Sequence, residues 1–455
     1  MYPRLLLILL LPLSLFAQKN EVKDTIDITM KPAISTRVVL YTSNGAQQKY
    51  INYVDAVDGE FKLAVPTDLS EGMYRLVYNQ KTMEYLDFLY AGGGLKFQFN
   101  PEDAVVVPVF ENSKLNTTYF ARLEEFGSYQ MRLDALQVDF FEAKDVKSKQ
   151  DIVMAYKAVF SDQKTKLDQF LITEQNPLIK DLIKANMQVK PASPIVEPID
   201  YLPYIKAHYF DNIDFNNTNL VHSTILVDKV IDYVFYLTKA NDPETQSKLH
   251  IEAVSNVLDR IEDVQLRKGF IQTLIQSFTK NELYKVTDYL FAEYYDKLPL
   301  GMQNSTYKSG ILQELKTAVG RIAPNFEWKE GEDNKVQTLE NLAGYDNYII
   351  VFWSTSCPHC LKEVPKLHEY LKANEKIKVI LVGLQTEEDK GAWKSETYYY
   401  PEFTHVLALG KWENAIVQNY NVNATPSYYV LDADKKIIAK PFEYVDLKDF
   451  FSKKK

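Results

Sequence analysis

The chain has 455 residues, which is longer than one ordinary domain core and therefore predicts several domains. Hydrophobic residues make up 46% and charged residues 25%, as in folded globular proteins, so the composition argues against a mainly disordered chain. The formal net charge is −9, and without clustered Lys and Arg to meet phosphates we expect no nucleic-acid partner.

The first residues are typical of a secretory signal peptide. Met1–Arg4 is short and positive, Leu5–Phe16 is an apolar run, and Ala17 is a small residue at the point of cleavage. The run is too short to cross a bilayer as a helix, and no Cys follows it to carry a lipid anchor. An uncleaved anchor or a buried helix is the alternative. We therefore expect residues 1–17 to direct export to the periplasm or cell envelope.

Residues 18–112 have the pattern of an antiparallel β-sandwich-like domain. Short runs rich in β-branched and aromatic residues are separated by turn signals such as Asn44-Gly45 and Asp58-Gly59. Strands at this spacing favour a sandwich or a barrel. The predicted strands are Thr25–Met30, Arg37–Tyr41, Lys49–Val54, Phe61–Val65, Tyr74–Tyr78, Leu86–Tyr90 and Leu95–Phe99.

Residues 113–317 change period and predict an α-helical domain. Apolar residues recur at three-to-four spacing, as on the buried faces of helices. A Pro-rich stretch, Lys190–Pro203, interrupts the pattern. The aromatic residues here are most simply core residues. The predicted helices are Tyr119–Leu136, Asp151–Leu171, Ile225–Thr238, Leu249–Ile261, Gly269–Phe278 and Glu282–Tyr294.

Residues 318–455 alternate strand and helix, which predicts an α/β domain with a central sheet covered by helices. Tyr348–Trp353 is continuously apolar, as expected of a strand that is buried on both faces. A helix is predicted from Pro358 to Ala373. Further strands are predicted at Lys378–Leu384, Ser427–Leu431 and Lys436–Ala439, and a last helix at Asp446–Ser452.

Cys357 and Cys360 are the only cysteines, and they lie three positions apart. A structural disulfide would be expected to close a longer loop. The pair lies where a buried strand meets a helix, so backbone N–H groups and the helix dipole favour a thiolate on Cys357. Pro358 suits the first helical turn. The chemistry this predicts is attack by Cys357 on a partner disulfide, followed by resolution by Cys360.

Further residues around this motif resemble the thioredoxin superfamily, and within it the exported TlpA/ResA-like disulfide reductases. Trp353 lies four residues before Cys357, and Pro365 lies five after Cys360. Thr425-Pro426 precedes a strand, and the segment 320–326 is similar to the family's entry into the domain. The resemblance implies a thioredoxin-like fold for the C-terminal domain and thiol–disulfide exchange without a cofactor.

The resemblance also implies how the site is built. Pro426 is expected to be cis and to face the disulfide, and Trp353, Pro358, Thr425 and Pro426 are expected to line the substrate groove. Disulfide-containing envelope proteins are the implied partners, and a membrane thiol is the implied electron donor. The family leans toward reduction. The regions before residue 318 resemble uncharacterised modules that precede such domains in Gram-negative envelope proteins.

Two positions depart from thioredoxin itself. Val351 stands where thioredoxin has a buried Asp, and Glu363 matches the carboxylate that the exported subfamily uses instead, which implies proton transfer to and from Cys360. A solvated surface Glu is the alternative. Pro358-His359 resembles the pair of the oxidising DsbA proteins, so His359 is expected to stabilise the Cys357 thiolate. The alternative is an exposed His of little effect.

Three other classes of function compete with this one. A structural zinc site needs four ligands, and the chain has no second Cys or His pair beside the Cys pair, His359 or His368, so no metal is expected. A peroxiredoxin would need a Pro where the chain has Ile350. A binding protein with an accessory thioredoxin-like domain remains open, because the first 300 or so residues form most of the chain.

Overall fold

The computed structural model describes residues 22–66, 69–330, 335–372 and 374–453. The predicted signal peptide, residues 1–17, lies outside the described residues. Contacts divide the chain into two compact units. The first runs to Ser277 and includes Asp288–Leu298, and the second comprises Phe278–Thr287 and the chain from Pro299 onward. Among the described residues, no helix is both long enough and apolar enough to cross a membrane.

The first unit begins with two four-stranded sheets, in the orders β4-β1-β7-β8 and β3-β2-β5-β6. All the predicted strands are present, and a short eighth strand follows them. The strands are β1 (Val22–Met30), β2 (Thr36–Asn44), β3 (Gln47–Ala56), β4 (Glu60–Pro66), β5 (Gly72–Asn79), β6 (Glu84–Tyr90), β7 (Leu95–Phe99) and β8 (Val109–Phe110).

One hydrophobic core holds inward side chains of both sheets, including Ile28 of β1, Leu40 of β2 and Phe97 of β7. Buried and more exposed residues alternate along β4, so one face of this strand packs into the core and the other faces outward. The expectation of a fully antiparallel sandwich is wrong for one pair, because β7 runs parallel to β1. The long connection through β2–β6 lets the chain return in the same direction.

The chain that follows the two sheets is helical, as predicted, but the helices have different limits. Two helices end in π-helical turns at Asp232–Tyr236 and Phe291–Tyr295. The Pro-rich stretch contains the start of a helix, since Pro198 occupies its first turn. The helices are α1 (Lys114–Glu142), α2 (Val146–Thr173), α3 (Pro177–Asn186), α4 (Pro198–Ala207), α5 (Thr218–Val221), α6 (Ile225–Ile231), α7 (Pro243–Leu258), α8 (Val264–Lys280) and α9 (Tyr284–Leu290).

The second unit is built on a five-stranded sheet in the order β13-β12-β11-β14-β15, with a separate β9–β10 hairpin. β11, β12 and β13 are parallel, and β14 and β15 are antiparallel to their neighbours. The elements are α10 (Ser305–Lys316), β9 (Glu327–Glu330), β10 (Lys335–Thr338), β11 (Asn347–Trp353), α11 (Cys360–Leu371), β12 (Ile377–Gln385), α12 (Lys390–Thr397), β13 (Thr404–Leu409), α13 (Ala415–Asn419), β14 (Ser427–Asp432), β15 (Ile437–Ala439) and α14 (Tyr444–Ser452).

Both faces of this sheet are covered, which explains why β11 is apolar without alternation. Val351 and Trp353 face a core that also contains Leu367 of α11 and Leu447 of α14. Alternate residues such as Ile350 face a second core on the opposite side. Because β11 is packed on both faces, its last residue, Trp353, is held in place. The segment that carries the two cysteines begins directly after it.

A buried ion pair joins β5 and β6 in the first unit. Arg75 is 3% exposed and donates two hydrogen bonds of 2.8 Å to the carboxylate of Asp87. It also donates to Asp228 of α6 at 2.9 Å, and the Thr224 hydroxyl donates to Asp87. These bonds tie α6 to the outer face of the sheet.

We expect Arg75→Met to lower the free energy of unfolding by about 3–5 kcal/mol, because Asp87 would be left as a largely buried carboxylate without its cation. The matched control is Arg37→Met. Arg37 makes the same two-bond contact with Asp55 in the same sheet, but both side chains are more than half exposed, so little change is expected. Urea unfolding of both variants measures the difference. Equal, small losses would contradict a structural role for the buried pair.

Candidate active site

The two cysteines lie where β11 passes into α11. β11 ends at the buried Trp353, and the backbone then turns so that the amide of Leu361 donates to the carbonyl of Cys357. Cys360 is the first residue of α11 and is fully buried, whereas Cys357 is partly exposed. The two form a disulfide, with their Cα atoms 5.3 Å apart. The sulfur atoms therefore differ sharply in access to solvent.

A backbone amide at the N-terminal end of α11 contacts the Cys357 sulfur. The amide of Cys360 donates to Cys357 Sγ at 3.1 Å. Amides in the first turn of a helix have no partner within the helix, so they are free to stabilise negative charge. An amide in this position is suited to stabilise a thiolate on Cys357 in the reduced protein.

The loop before β14 borders the disulfide. The Thr425–Pro426 peptide bond is cis, as the resemblance implied. The carbonyl oxygen of Thr425 lies 3.4 Å from Cys357 Sγ, and both Thr425 and Pro426 are partly exposed. The loop lies beside the disulfide because of strand pairing. Ser427, the first residue of β14, pairs with Phe352 near the end of β11. Pro358, next to Cys357 in the chain, is exposed.

Trp353 is not at the surface of the site. It is fully buried, pairs in register with Gly383 of β12, and packs in the core beneath α11. A Cβ atom at Gly383 would lie 3.6 Å from Nε1 of Trp353 and only 2.4 Å from that of Trp393. The prediction that Trp353 lines the substrate groove is therefore wrong, because a fully buried indole cannot contact a partner protein. Its role is to pack against α11.

Polar contacts hold the segment between Trp353 and Cys357. The hydroxyl of Thr355 donates to the buried Gln385 of β12 at 2.8 Å, and the hydroxyls of Ser354 and Ser356 are 2.9 Å apart. The ammonium group of Lys411 reaches Ser356 at 3.4 Å. These contacts limit the movement of the segment that presents Cys357.

Glu363 lies one helical turn after Cys360 and is 3% exposed, so it is not a solvated surface residue. One carboxylate oxygen accepts the backbone N–H of Tyr444 at 2.7 Å, and the other lies 3.1 Å from the ammonium group of Lys366. Residues three apart on a helix share a face, so Glu363 lies on the same side of α11 as Cys360. Val351 on β11 is buried and has no acidic group.

His359 is exposed, and the structure places it beside two carboxylates. Ligand atoms of His359, Glu363 and Glu443 lie within 4.8 Å of one another, and these are the described residues that could hold a metal ion. Both oxygens of Glu363 already have partners, in the Tyr444 amide and Lys366. The cluster therefore fits a group of interacting charges better than a metal centre.

Sequence reasoning did not find Glu443, Tyr428, Gln385 or Lys411. The Tyr444 amide is 81 positions from Glu363, and no spacing rule connects such distant residues. Gln385 ends an apolar strand and Lys411 follows a left-handed Gly410, and neither feature indicates a redox site. Only the packing of separate segments brings these groups to the site.

The sequence model of the Redoxin family matches residues 318–450. The thiol-disulfide oxidoreductase ResA of a Bacillus cereus strain is 30% identical over 135 residues, which cover 30% of this chain and 75% of ResA. The chain belongs to the ResA-like proteins of the thioredoxin superfamily. YkuV of Bacillus subtilis, also a thiol-disulfide oxidoreductase, is 26% identical over 122 residues, or 26% of this chain and 79% of YkuV.

Solved structures similar to this ResA-like chain include two from Bacteroides. A thioredoxin-like protein from Bacteroides caccae is 18% identical, with 59% of this chain and 99% of that chain covered and a TM-score of 0.31. The thioredoxin domain of a thiol-disulfide oxidoreductase from Bacteroides vulgatus is 23% identical, with 30% and 96% covered and a TM-score of 0.26.

The ResA-like chain is a thioredoxin-like thiol:disulfide oxidoreductase. The family match falls within the second unit, which holds the disulfide. The arrangement has what such an exchange requires: a sulfur that partners can reach, a second sulfur within bonding distance, and donors that stabilise a thiolate.

Proposed function

We propose that the protein is an exported enzyme that reduces disulfides in envelope proteins through the Cys357–Cys360 pair. The observation that carries this proposal is the unequal burial of the two sulfurs at the start of α11. A partner disulfide can reach the partly exposed Cys357 but not the fully buried Cys360. Cys357 is then the attacking thiolate, and Cys360 resolves the mixed disulfide.

The groove for the partner lies along Pro358, Thr425 and Pro426. These residues are exposed or partly exposed around Cys357, and the Thr425 carbonyl is next to its sulfur. A backbone carbonyl can accept a hydrogen bond from an extended partner chain. His359 follows Pro358 at the start of α11, and we assign to it a contribution to the stability of the Cys357 thiolate.

Location and domain roles complete the proposal. Residues 1–17 serve as the signal peptide, residues 18–112 form a β-rich domain, 113–317 a helical domain and 318–455 the thioredoxin-like domain. The apolar start of the chain supports export to the periplasm. A thiol protein of the membrane would return electrons to the disulfide, since the described residues hold no other redox cysteine. No cofactor is required, because the two sulfurs carry both electrons.

Glu363 is proposed to take the proton of Cys360. Cys360 has no access to water, so its thiol must lose its proton to a protein group before the sulfur can attack. The Glu363 carboxylate is one helical turn away, and β11 offers Val351 where thioredoxin has an Asp. Proton transfer by a positioned carboxylate is a common source of catalysis.

The experiment that tests the function is capture of partners by a Cys360→Ser variant. This variant should accumulate mixed disulfides with envelope proteins, because nothing resolves the bond at Cys357. Cys357→Ser is the matched control and should capture none. Non-reducing gels of envelope extracts, and the rate of insulin reduction by the wild type with dithiothreitol, are the measurements. Capture by Cys357→Ser, or a wild type that does not speed insulin reduction, would refute the proposal.

The role of Glu363 predicts slower exchange in Glu363→Gln, on the order of 100-fold at neutral pH, because Gln keeps the size and hydrogen bonding but cannot hold the proton. Rates measured from pH 5 to pH 9 should depend on pH differently from the wild type. Glu369→Gln is the control, since Glu369 lies on the same helix but is exposed. Superimposable profiles of the Glu363 variant and the wild type would make Glu363 a structural residue only.

A further inference from the structure

Glu363 has very little direct contact with water. Its side chain is 4% exposed, and the Cys360 thiol that it serves is fully buried. A proton that Glu363 accepts must leave before the next turnover, or the carboxylate stays neutral. Another group has to carry the proton outward.

The groups that face Glu363 come from three elements. Around α11 they are Lys366 and the N-cap residue His359, with Cys360 one turn before Glu363 on the same helix. β14 supplies Tyr428, and the start of α14 supplies the N-cap residue Glu443 and the Tyr444 amide. The ammonium group and the amide only donate hydrogen bonds, so neither can accept a proton. His359, Tyr428 and Glu443 remain.

Glu443, like His359, combines nearness to Glu363 with access to solvent. Atoms of both carboxylates lie within 4.8 Å of each other, and Glu443 is partly exposed. It is also the N-cap residue of α14, where its carboxylate accepts the backbone N–H of Asp446. The cap fixes the direction of the side chain and leaves acceptor capacity for a proton.

Tyr428 lies close to both carboxylates. Tyr428 is 2% exposed, and its buried hydroxyl makes no ideal hydrogen bond but lies within reach of the Glu363 carboxylate. Burial first, and then the charges of Glu363 and Glu443, raise the pKa of Tyr428 far above its usual value. The phenol therefore stays neutral, and a neutral phenol can accept a proton from one carboxyl group while it donates its own to another.

We propose that Glu443 is the exit of the proton path, and that Tyr428 connects it to Glu363. This inference rests on the proposed role of Glu363. In the resolving step, the Cys360 S–H bond breaks and its proton passes to Glu363. The sulfur electron pair forms the Cys357–Cys360 bond. The bond between Cys357 and the partner sulfur breaks, and the partner leaves as a thiolate with both electrons.

The proton then crosses from Glu363 to the water side. Glu363 gives it to the Tyr428 oxygen as the Tyr428 hydroxyl proton moves to Glu443, and Glu443 releases it to water. The partner thiolate takes a proton from water, so the protons balance. Glu363 returns to its ionised form beside Lys366.

The test is the rate at which reduced protein exchanges with a disulfide-containing model peptide, followed by stopped flow from pH 5 to pH 9. Glu443→Gln keeps the cap acceptor but cannot carry the proton, and we expect a loss of about 10-fold, below the 10²–10⁴-fold typical of removing an acid–base group outright. Tyr428→Phe should lose a similar factor. Glu443→Asp retains a carboxylate and a good N-cap and should recover most of the rate.

A double variant distinguishes one path from two. If both carboxylates serve the same path, Glu363→Gln combined with Glu443→Gln is no slower than Glu363→Gln alone. Multiplied losses in the double variant would overturn the proposal. A slow Glu443→Gln that Asp does not rescue, with a lowered unfolding midpoint, would reduce Glu443 to a helix cap and also overturn it.

Failure of this inference differs from failure of the proposed function. If Glu443→Gln matches the wild type while Glu363→Gln is slow, Glu363 keeps its role and the proton leaves by another route, such as His359. If Glu363→Gln also matches the wild type, the proposed proton transfer by Glu363 is refuted. If the wild type itself does not exchange disulfides, the proposed redox function is refuted.

Discussion

The unequal burial of two neighbouring sulfurs is the constraint on which the rest of the site depends. Cys357 is partly exposed at the open end of α11, and Cys360, one turn later, is fully buried against the sheet. The exposed sulfur meets the partner, and the buried one can act only within the protein. In the proposed mechanism a buried thiol passes its proton to a protein group, and Glu363 is a buried carboxylate one helical turn from Cys360.

The sheet order supplies the groups that this constraint requires. β14 pairs antiparallel with β11, so the cis Thr425–Pro426 bond and Tyr428 lie on either side of the β14 start, close to the cysteines. The chain then reaches α14, whose first turn brings the Tyr444 amide and Glu443 to Glu363. Three distant segments of sequence thus meet around the Glu363 carboxylate.

Much of the framework could be predicted from sequence. The strands of the sandwich and β11 could be predicted because alternating or continuous apolar residues mark strands that are buried on one or both faces. Cys357, Cys360 and Pro426 could be predicted because each belongs to a short local motif. The parallel pairing of β1 with β7 was not predictable, because local pattern does not set the direction of a distant partner. The burial of Trp353 and the nearness of Glu443 were missed because both depend on how separate segments pack.

The rate of alkylation of reduced Cys357 and Cys360 as a function of pH tests the central claim most directly. The account predicts that Cys357 reacts rapidly well below about pH 8.5, where an ordinary thiol ionises, and that Cys360 stays unmodified until the protein is denatured. Mass spectrometry of the labelled peptides separates the two sites. Equal labelling of both cysteines, or a Cys357 that reacts only near pH 8.5, would contradict the account.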